Sequence, residues 1–250
     1  MYKNWRDLIK PKRLQIESDT LTATFGKFYA EPFERGFGTT MGNALRRVLL
    51  SSLQGAAITS LRIKGVLHEF STIPGVTEDV TDVILNLKGV LLKLHGQESR
   101  NIRIVKKGGG VITAGDIIHD SHIEILNPEH HIATCGKEAD VEMDMVVALG
   151  KGYVPADRNR DEKSPVGTIP IDSIFSPIKK VNFTVSNARV GQITDYDKLT
   201  LEVMTDGSVK PDDAVAYAAK ILKEQLQIFI NFDEEFEPGE AGSAEESRKI

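Results

Sequence analysis

The residues best placed to do chemistry are three carboxylates that alternate along one short segment. Asp140, Glu142 and Asp144 occupy every second position of the sequence D-V-E-M-D-M-V. Alternate side chains of a β-strand share one face, so these carboxylates are expected to lie together. Carboxylate oxygens bind hard divalent cations, and a metal held in this way can template phosphoryl transfer. The same alternation is also typical of an amphipathic strand whose acids face water, and we prefer this interpretation.

A second group of candidate metal ligands comprises His130, His131 and Cys135. The group lacks the paired spacing of a zinc site, and Cys135 is the only cysteine of the chain. We therefore expect exposed or hydrogen-bonded side chains here, and no metal in this chain. A single cysteine also excludes an intramolecular disulfide, which favours a reducing compartment.

The charge balance and hydropathy of the chain exclude other classes. With 36 acidic and 31 basic residues the formal net charge is −5, which disfavours the phosphate neutralisation on which nucleic-acid binding depends. No apolar run approaches the ~18 residues of a membrane span. The N-terminus also lacks the apolar segment of a signal peptide. Together with the single cysteine, these features predict a cytoplasmic protein without a membrane contact.

A helix predicted over 40–53 has two different faces. Its core-facing side is predicted from apolar residues at helical spacing, namely Met41, Ala44, Leu45, Val48 and Leu49. On the opposite side, Arg47 stands beside the apolar Leu50. Such a pair on a rigid helix is typical of a docking surface, because arginine is enriched in interfaces. A scattered exposed leucine is the alternative.

The last predicted helix begins near Pro211 and has a wide apolar arc. This arc, which includes Ile221, Leu222 and Phe229, covers roughly 200° of the helix, whereas ~100° is enough to cover one sheet. We expect one side to pack on its own sheet and the other on a second subunit. Deep burial within a monomer is the alternative.

The remaining elements are predicted from alternation, caps and turns. They are a hairpin at 12–32, a helix over 77–88 capped by Thr77, a charged mobile loop at 155–165, and strands near 90–94, 102–105, 123–126, 141–149, 181–186 and 199–205. Residues 233–250 are rich in Glu, Gly and Ser and are predicted to be disordered.

Segments along nearly the whole chain resemble the bacterial RNA polymerase alpha-subunit family. The resemblance is carried by E-R-G-F-G-T-T-M-G-N-A-L-R-R-V-L-L-S-S at 34–52. The other matching segments occur in the family's order: W-R-D-L-I-K-P-K-R-L, G-V-L-H-E-F-S, G-V-T-E-D, L-N-L-K-G, G-Y-V-P-A and D-Y-D-K-L. A lone glycine motif would be weak, but a series of ordered segments is specific.

The resemblance implies an α+β fold of two domains. A dimerisation domain with helices on an antiparallel sheet would comprise 1–55 and 179–232. A mixed, β-rich domain, 56–178, would be inserted into it. Residues 233–250 would then be an acidic linker toward a C-terminal domain that this sequence lacks. In the family that domain binds promoter DNA and activators, so DNA contact is expected only through it or through the complex.

The resemblance also implies a function, which is to scaffold DNA-directed RNA polymerase by homodimerising and gathering the beta and beta-prime subunits. Phe37, Met41 and Val48 would help form the dimer contact, together with the apolar arc of the last helix. In one protomer, Arg47 and Leu50 would touch the beta subunit. The segment 68–71, which contains His68 and Glu69, is also associated with beta. In the other protomer, 176–189 would lie toward beta-prime.

Catalysis is expected to reside elsewhere in such a complex. The family's magnesium is held by aspartates of the largest subunit, and no segment here matches that motif, so no catalytic residue and no cofactor are expected in this chain. Two other classes stay open. One is a metal-dependent phosphoryl-transfer enzyme that uses the three alternating carboxylates. The other is a homodimeric binding protein unrelated to transcription.

Overall fold

The computed structural model describes residues 8–161, 163–191 and 193–230. Within them the fold is α+β, as predicted, and every strand pairing is antiparallel. The helices are α1 (Phe37–Ser52), α2 (Val80–Lys88), α3 (Ala156–Asn159) and α4 (Pro211–Leu226). The strands are β1 (Gln15–Ile16), β2 (Phe25–Phe33), β3 (Gln54–Ile63), β4 (Leu92–Leu94), β5 (Arg100–Lys107), β6 (Gly110–Thr113), β7 (Ile123–Ile125), β8 (His131–Cys135), β9 (Asp140–Lys151), β10 (Tyr153–Val154), β11 (Thr168–Pro170), β12 (Ser173–Ile174), β13 (Ile178–Val190) and β14 (Ile193–Thr205).

One core lies between a four-stranded sheet and the two long helices. The strand order is β1-β2-β14-β13, so β13 is an edge strand, and α1 and α4 both contact this sheet and each other. Apolar residues of both layers are buried there, among them Phe28, Leu49, Leu201, Val203, Ala214 and Ala218. This sheet therefore buries apolar residues on only one side of each helix.

The side of α1 that meets the sheet includes two glycines as well as part of the predicted apolar stripe. Gly38, Gly42 and Leu49 are buried, and Leu45 and Val48 of the predicted stripe pack against the same core. A Cβ at Gly42 would lie 2.5 Å from the ring of Phe183 and 2.9 Å from Leu199. The helix therefore approaches the sheet through its glycines, which a hydropathy pattern does not count. The other stripe residues, Met41, Ala44, Leu45 and Val48, are consequently only half-buried.

A second core is formed from 58–171. Its main sheet has the order β11-β3-β9-β5, and α2 and the pairs β4–β7 and β6–β8 complete the unit. The helix α2 begins later than predicted, because Asp79 rather than Thr77 is its N-cap. The Asp79 carboxylate accepts a 2.8 Å hydrogen bond from the N–H of Asp82.

The structure corrects two further predictions and leaves those on residues 233–250 and on the domain boundaries untested. The charged segment 155–165 contains one helical turn, α3, where the amide of Asn159 donates to the carbonyl of Ile171. The last helix ends at Leu226, followed by a short 3-10 turn at Gln227–Phe229, rather than continuing to about 231. The predicted linker 233–250 lies outside the described residues. The domain boundaries at 55 and 179 stay predictions.

Candidate docking surfaces

The exposed face of α1 presents the predicted arginine–leucine pair. Arg47 is exposed and Leu50 is among the exposed large apolar residues. The neighbouring Arg46 has a different environment, since its Nε donates a 3.3 Å hydrogen bond to the carbonyl of Val181. The two adjacent arginines thus have different environments. Arg46 is hydrogen-bonded to the sheet, whereas Arg47 faces solvent beside Leu50.

The opposite side of α1 lines an apolar groove of about 850 Å³ between α1, α4 and β2. Met41 and Leu222 are in its wall, and Leu226 and Ile230 are at its α4 end. Beyond them, Ile228 is 82% exposed and Phe229 is 81% exposed. Large apolar side chains gain free energy when they leave water, so this surface favours contact with another apolar surface.

The other residues predicted at the dimer contact have mixed environments. Phe37, at the first turn of α1, is exposed. Val48 and Ile221 are half-buried and pack against the core between the helices and their sheet. These two side chains therefore support the fold of the single chain while part of each remains accessible.

The loop after β3 exposes more apolar surface than the sequence indicated. His68 and Glu69 are exposed as expected, with His68 Nδ1 3.0 Å from Ser71 Oγ. Their neighbours Leu67 and Phe70 are 70% and 83% exposed. Phe70 lies within the segment 68–71 that the resemblance associates with beta, whereas Leu67 lies just before it and is not predicted as a contact. The loop is a mixed polar and apolar surface.

The three alternating carboxylates lie on one face of β9, as predicted, but each faces cations. Asp144 pairs with Arg62 of β3 at 2.7 Å and with Arg103 of β5 at 3.2 Å. Arg103 also pairs with Glu142, and Asp140 lies 3.8 Å from the ammonium of Lys64. The opposite face of β9 is buried in the core through Val141, Met143 and Met145. This is the geometry of an amphipathic strand.

The histidine and cysteine candidates have separate partners. His130 Nε2 lies 2.8 Å from the carbonyl oxygen of Asn86 at the end of α2, and His131 Nε2 lies 2.9 Å from Glu78 Oε1. Cys135 is buried rather than exposed, and burial raises the pKa of its thiol. In the described ranges, no group of three or more His, Cys, Asp or Glu side chains is arranged to hold a metal ion.

Glu78 is the most connected carboxylate of this region. It accepts hydrogen bonds from the N–H of Thr134 at 2.7 Å and from its hydroxyl at 3.0 Å, in addition to the contact with His131. Partial burial acts to raise the pKa of Glu78, but the hydrogen bonds to its charged form outweigh burial and lower it. The carboxylate therefore joins the start of α2 to β8 in its ionised state.

None of the helices in the part of the chain that the structure describes is long and apolar enough to cross a membrane.

The fold is α+β, and its exposed surface includes apolar residues on both sides of one helix and on a loop of the second unit. The RNA polymerase Rpb3/RpoA insert domain model matches residues 61–176. The DNA-directed RNA polymerase subunit alpha of Geobacter metallireducens is 76% identical over 249 residues, covering 100% of this chain and 73% of that protein.

Two further relatives carry the same name. The protein of Pelobacter propionicus is 76% identical over 95% of this chain and 70% of its own length. That of Desulfosudis oleivorans is 57% identical over 99% of this chain and 73% of its own length. The chain belongs to the family of DNA-directed RNA polymerase alpha subunits. Its membership of a polymerase complex, a nucleotidyltransferase, follows from that family.

Proposed function

We propose that this chain is the assembly scaffold of RNA polymerase, which homodimerises and then gathers the beta and beta-prime subunits. The observation that carries the proposal is that α1 is exposed on two opposite sides. One side, with Met41, lines the apolar groove. The other presents Arg47 and Leu50. A single rigid helix can therefore contact a second copy of the chain and a different partner at the same time.

The dimer contact is assigned to the groove and to the apolar residues beside it. A two-fold symmetric interface uses the same patch on both copies. A group that protrudes from the patch of one copy must therefore fit a recess in the same patch of the other copy. Phe229 protrudes next to the groove that Met41 and Leu222 line. We assign Phe37, Val48 and Ile221 to the periphery of the same contact, because part of each side chain remains accessible.

The beta contact is assigned to Arg47 and Leu50 of α1 and to His68 and Glu69 of the loop after β3. The exposed Leu67 and Phe70 add apolar area beside the last two. The beta-prime contact is assigned to 176–189. This segment contains most of β13, and an edge strand offers unpaired backbone groups to a partner.

Chemistry is assigned to the other subunits. The carboxylates of β9 that could bind a metal are engaged with Arg62, Arg103 and Lys64 instead. We therefore propose that this chain supplies no catalytic residue and no cofactor, and that magnesium acts in the large catalytic subunit. DNA is contacted through the complex or the C-terminal domain, and the working compartment is the cytoplasm.

The test is capture of the purified beta subunit by the Arg47→Ala, Leu50→Ala double variant. Exposed substitutions usually change the free energy of unfolding by only ~0.5 kcal/mol, so melting temperature and dimer mass should stay near those of the parent. Loss of interface hot spots can cost about 2 kcal/mol or more of binding free energy, so capture should fall sharply.

Arg46→Ala is the matched control, because it removes a neighbouring arginine that bonds to Val181. This control should lower the melting temperature while the folded protein captures beta normally. Full capture of beta by the double variant would refute the docking assignment.

A further inference from the structure

Phe175 lies where the chain returns from the second core to the first. The chain leaves the first core after Leu53, the last buried residue of that core before β3, and comes back to it at Ile178. Phe175, in the returning segment, is only 4% exposed, yet it lies outside both hydrophobic clusters. A buried aromatic ring between two cores needs a structural explanation of its own.

Phe175 packs on a pair of glycines, with its ring against Gly150 and its backbone carbonyl against Gly55. Gly55 of β3 and Gly150 of β9 are directly paired in the sheet. A Cβ at Gly150 would lie 2.6 Å from the ring of Phe175, and a Cβ at Gly55 would collide with its carbonyl oxygen. The N–H of Phe175 donates a 2.8 Å hydrogen bond to the carbonyl of Gly152. Because neither glycine has a side chain, Phe175 has room to pack here.

Residues on either side of Phe175 are bonded to different units. Before it, the hydroxyl of Ser173 donates a 2.8 Å hydrogen bond to the carbonyl of Ile58 in the second core. After it, the carbonyl of Pro177 accepts a 2.9 Å hydrogen bond from the N–H of Asp206, in the turn that follows β14 of the first sheet. Phe175 therefore lies between a residue that is hydrogen-bonded to the second core and one that is hydrogen-bonded to the first sheet.

We propose that Phe175 is a positioning residue that locks the outgoing and returning segments together, so that the two units move as one rigid body. Burial of the ring opposes separation of the segments, because movement of the returning segment away from Gly150 would expose the ring to water.

The lock has a consequence for docking, and this consequence rests on the proposed function. Arg47 and Leu50 precede β3, whereas His68 and Glu69 follow it, so the junction sets their relative placement. A partner that contacts both sites meets a preorganised surface and loses less conformational entropy on binding.

The experiment measures the distance between the two units by electron spin resonance. Spin labels are attached at Asn43→Cys on α1 and at Glu98→Cys in the second unit, in a Cys135→Ala background. Labelled chain is diluted with excess unlabelled chain, so that distances within one protomer dominate. The parent should give one narrow distribution of label-to-label distances. Phe175→Ala should give a broad distribution instead.

Ile132→Ala is the matched control, because it opens a cavity inside the second core, far along the chain from the junction. It should lower the melting temperature but keep the narrow distribution. Gly150→Ala tests the same contact by placing a methyl group against the ring of Phe175. Gly109→Ala is its control, because a Cβ at Gly109 would have only ordinary van der Waals contacts. Gly150→Ala should broaden the distribution and Gly109→Ala should not.

A narrow, unchanged distribution in both Phe175→Ala and Gly150→Ala would overturn the proposal. No partner is present in this measurement. Its result is therefore separate from the test of beta docking, which depends on Arg47 and Leu50, and either proposal can fail alone.

Discussion

The side chain of Asp197 caps the helix α1 at Gly38, although 159 residues separate the two. Its Oδ2 accepts a 3.1 Å hydrogen bond from the N–H of Gly38 and a 2.8 Å bond from that of Gly36. The first turn of α1 contains no acidic residue, and Gly36, its own N-cap residue, has no side chain. The carboxylate from β14 thus satisfies two helix donors and complements the positive end of the helix dipole.

Replacing this carboxylate should destabilise the protein by an amount typical of a lost cap. Asp197→Ala removes the acceptor for two N–H groups, and we expect a loss of about 1–2 kcal/mol in the free energy of unfolding. Asp195→Ala, an exposed residue on the same strand, is the control and should change little. Urea unfolding of both variants makes the comparison. Equal stability of the two variants would rule out the capping role.

The cap illustrates which parts of the fold the sequence could reveal. Apolar periodicity and turn signals predict β9 and the start of α4 close to their observed bounds. The partner of Gly38 could not be found, because it comes from a strand that only the tertiary fold brings near. For the same reason the apolar pattern predicts Leu49 and Val48 on the sheet-facing side of α1 but not the glycines Gly38 and Gly42, which the structure also places there.

Gly42→Ala should destabilise the protein even though alanine is the better helix former. In an exposed helix this change would stabilise by about 1 kcal/mol. Here the added methyl group would lie 2.5 Å from Phe183, and overpacking typically costs about 1–3 kcal/mol. The double variant Gly42→Ala, Phe183→Leu should recover part of the loss. Thermal unfolding of the two variants decides the sign, and a raised melting temperature for Gly42→Ala would contradict the packing.

Acid should weaken the contact that Glu78 makes between α2 and β8. Its pKa is lowered in the folded protein, so its contribution is present above the pKa of the unfolded chain. That contribution is lost as the pH falls from about 5 through the folded pKa. Glu78→Gln should flatten this part of the stability curve, while Glu98→Gln, an exposed glutamate, should not. Urea unfolding across this pH range tests the difference. An unchanged acid dependence in Glu78→Gln would contradict the assignment.

The candidate sites were only partly accessible from the sequence. The helical pattern predicts that Arg47 and Leu50 share an exposed face, whereas their docking role is implied by the resemblance to the alpha-subunit family. The exposure of Leu67 and Phe70 could not be predicted, since a loop has no periodicity that indicates which side chains face solvent. The groove beside Phe229 was equally hidden, because its walls come from α1, α4 and β2 together.

The paired carboxylates of β9 should behave as a surface charge network rather than as a metal site. Asp144→Ala should change the free energy of unfolding by about 1 kcal/mol or less, because partly exposed ion pairs contribute little. Calorimetric titration with Mg²⁺ should give no saturable heat in either the parent or the variant. Magnesium-dependent RNA synthesis by the purified chain, abolished in Asp144→Ala, would instead establish the phosphoryl-transfer alternative.

The apolar groove and the protruding end of the last helix should hold a second copy of the chain. Light scattering of the parent at micromolar concentration should give about twice its mass of 27.6 kDa. Phe229→Glu and Val48→Glu should both shift the chain toward monomer, since burying an unpaired charge in an apolar interface is costly. Phe229 is 81% exposed in the single chain, so its variant should keep the fold of the monomer intact.

Asn43→Glu is the matched control for these two variants, because it adds a charge to α1 at an exposed position on the face of Arg47 and Leu50. It should remain dimeric. Circular dichroism on the same samples shows whether each variant is folded, and the mass then reports the interface alone. A folded Phe229→Glu variant that keeps the dimer mass would exclude Phe229 from the contact. A parent that is monomeric under these conditions would exclude the homodimer itself.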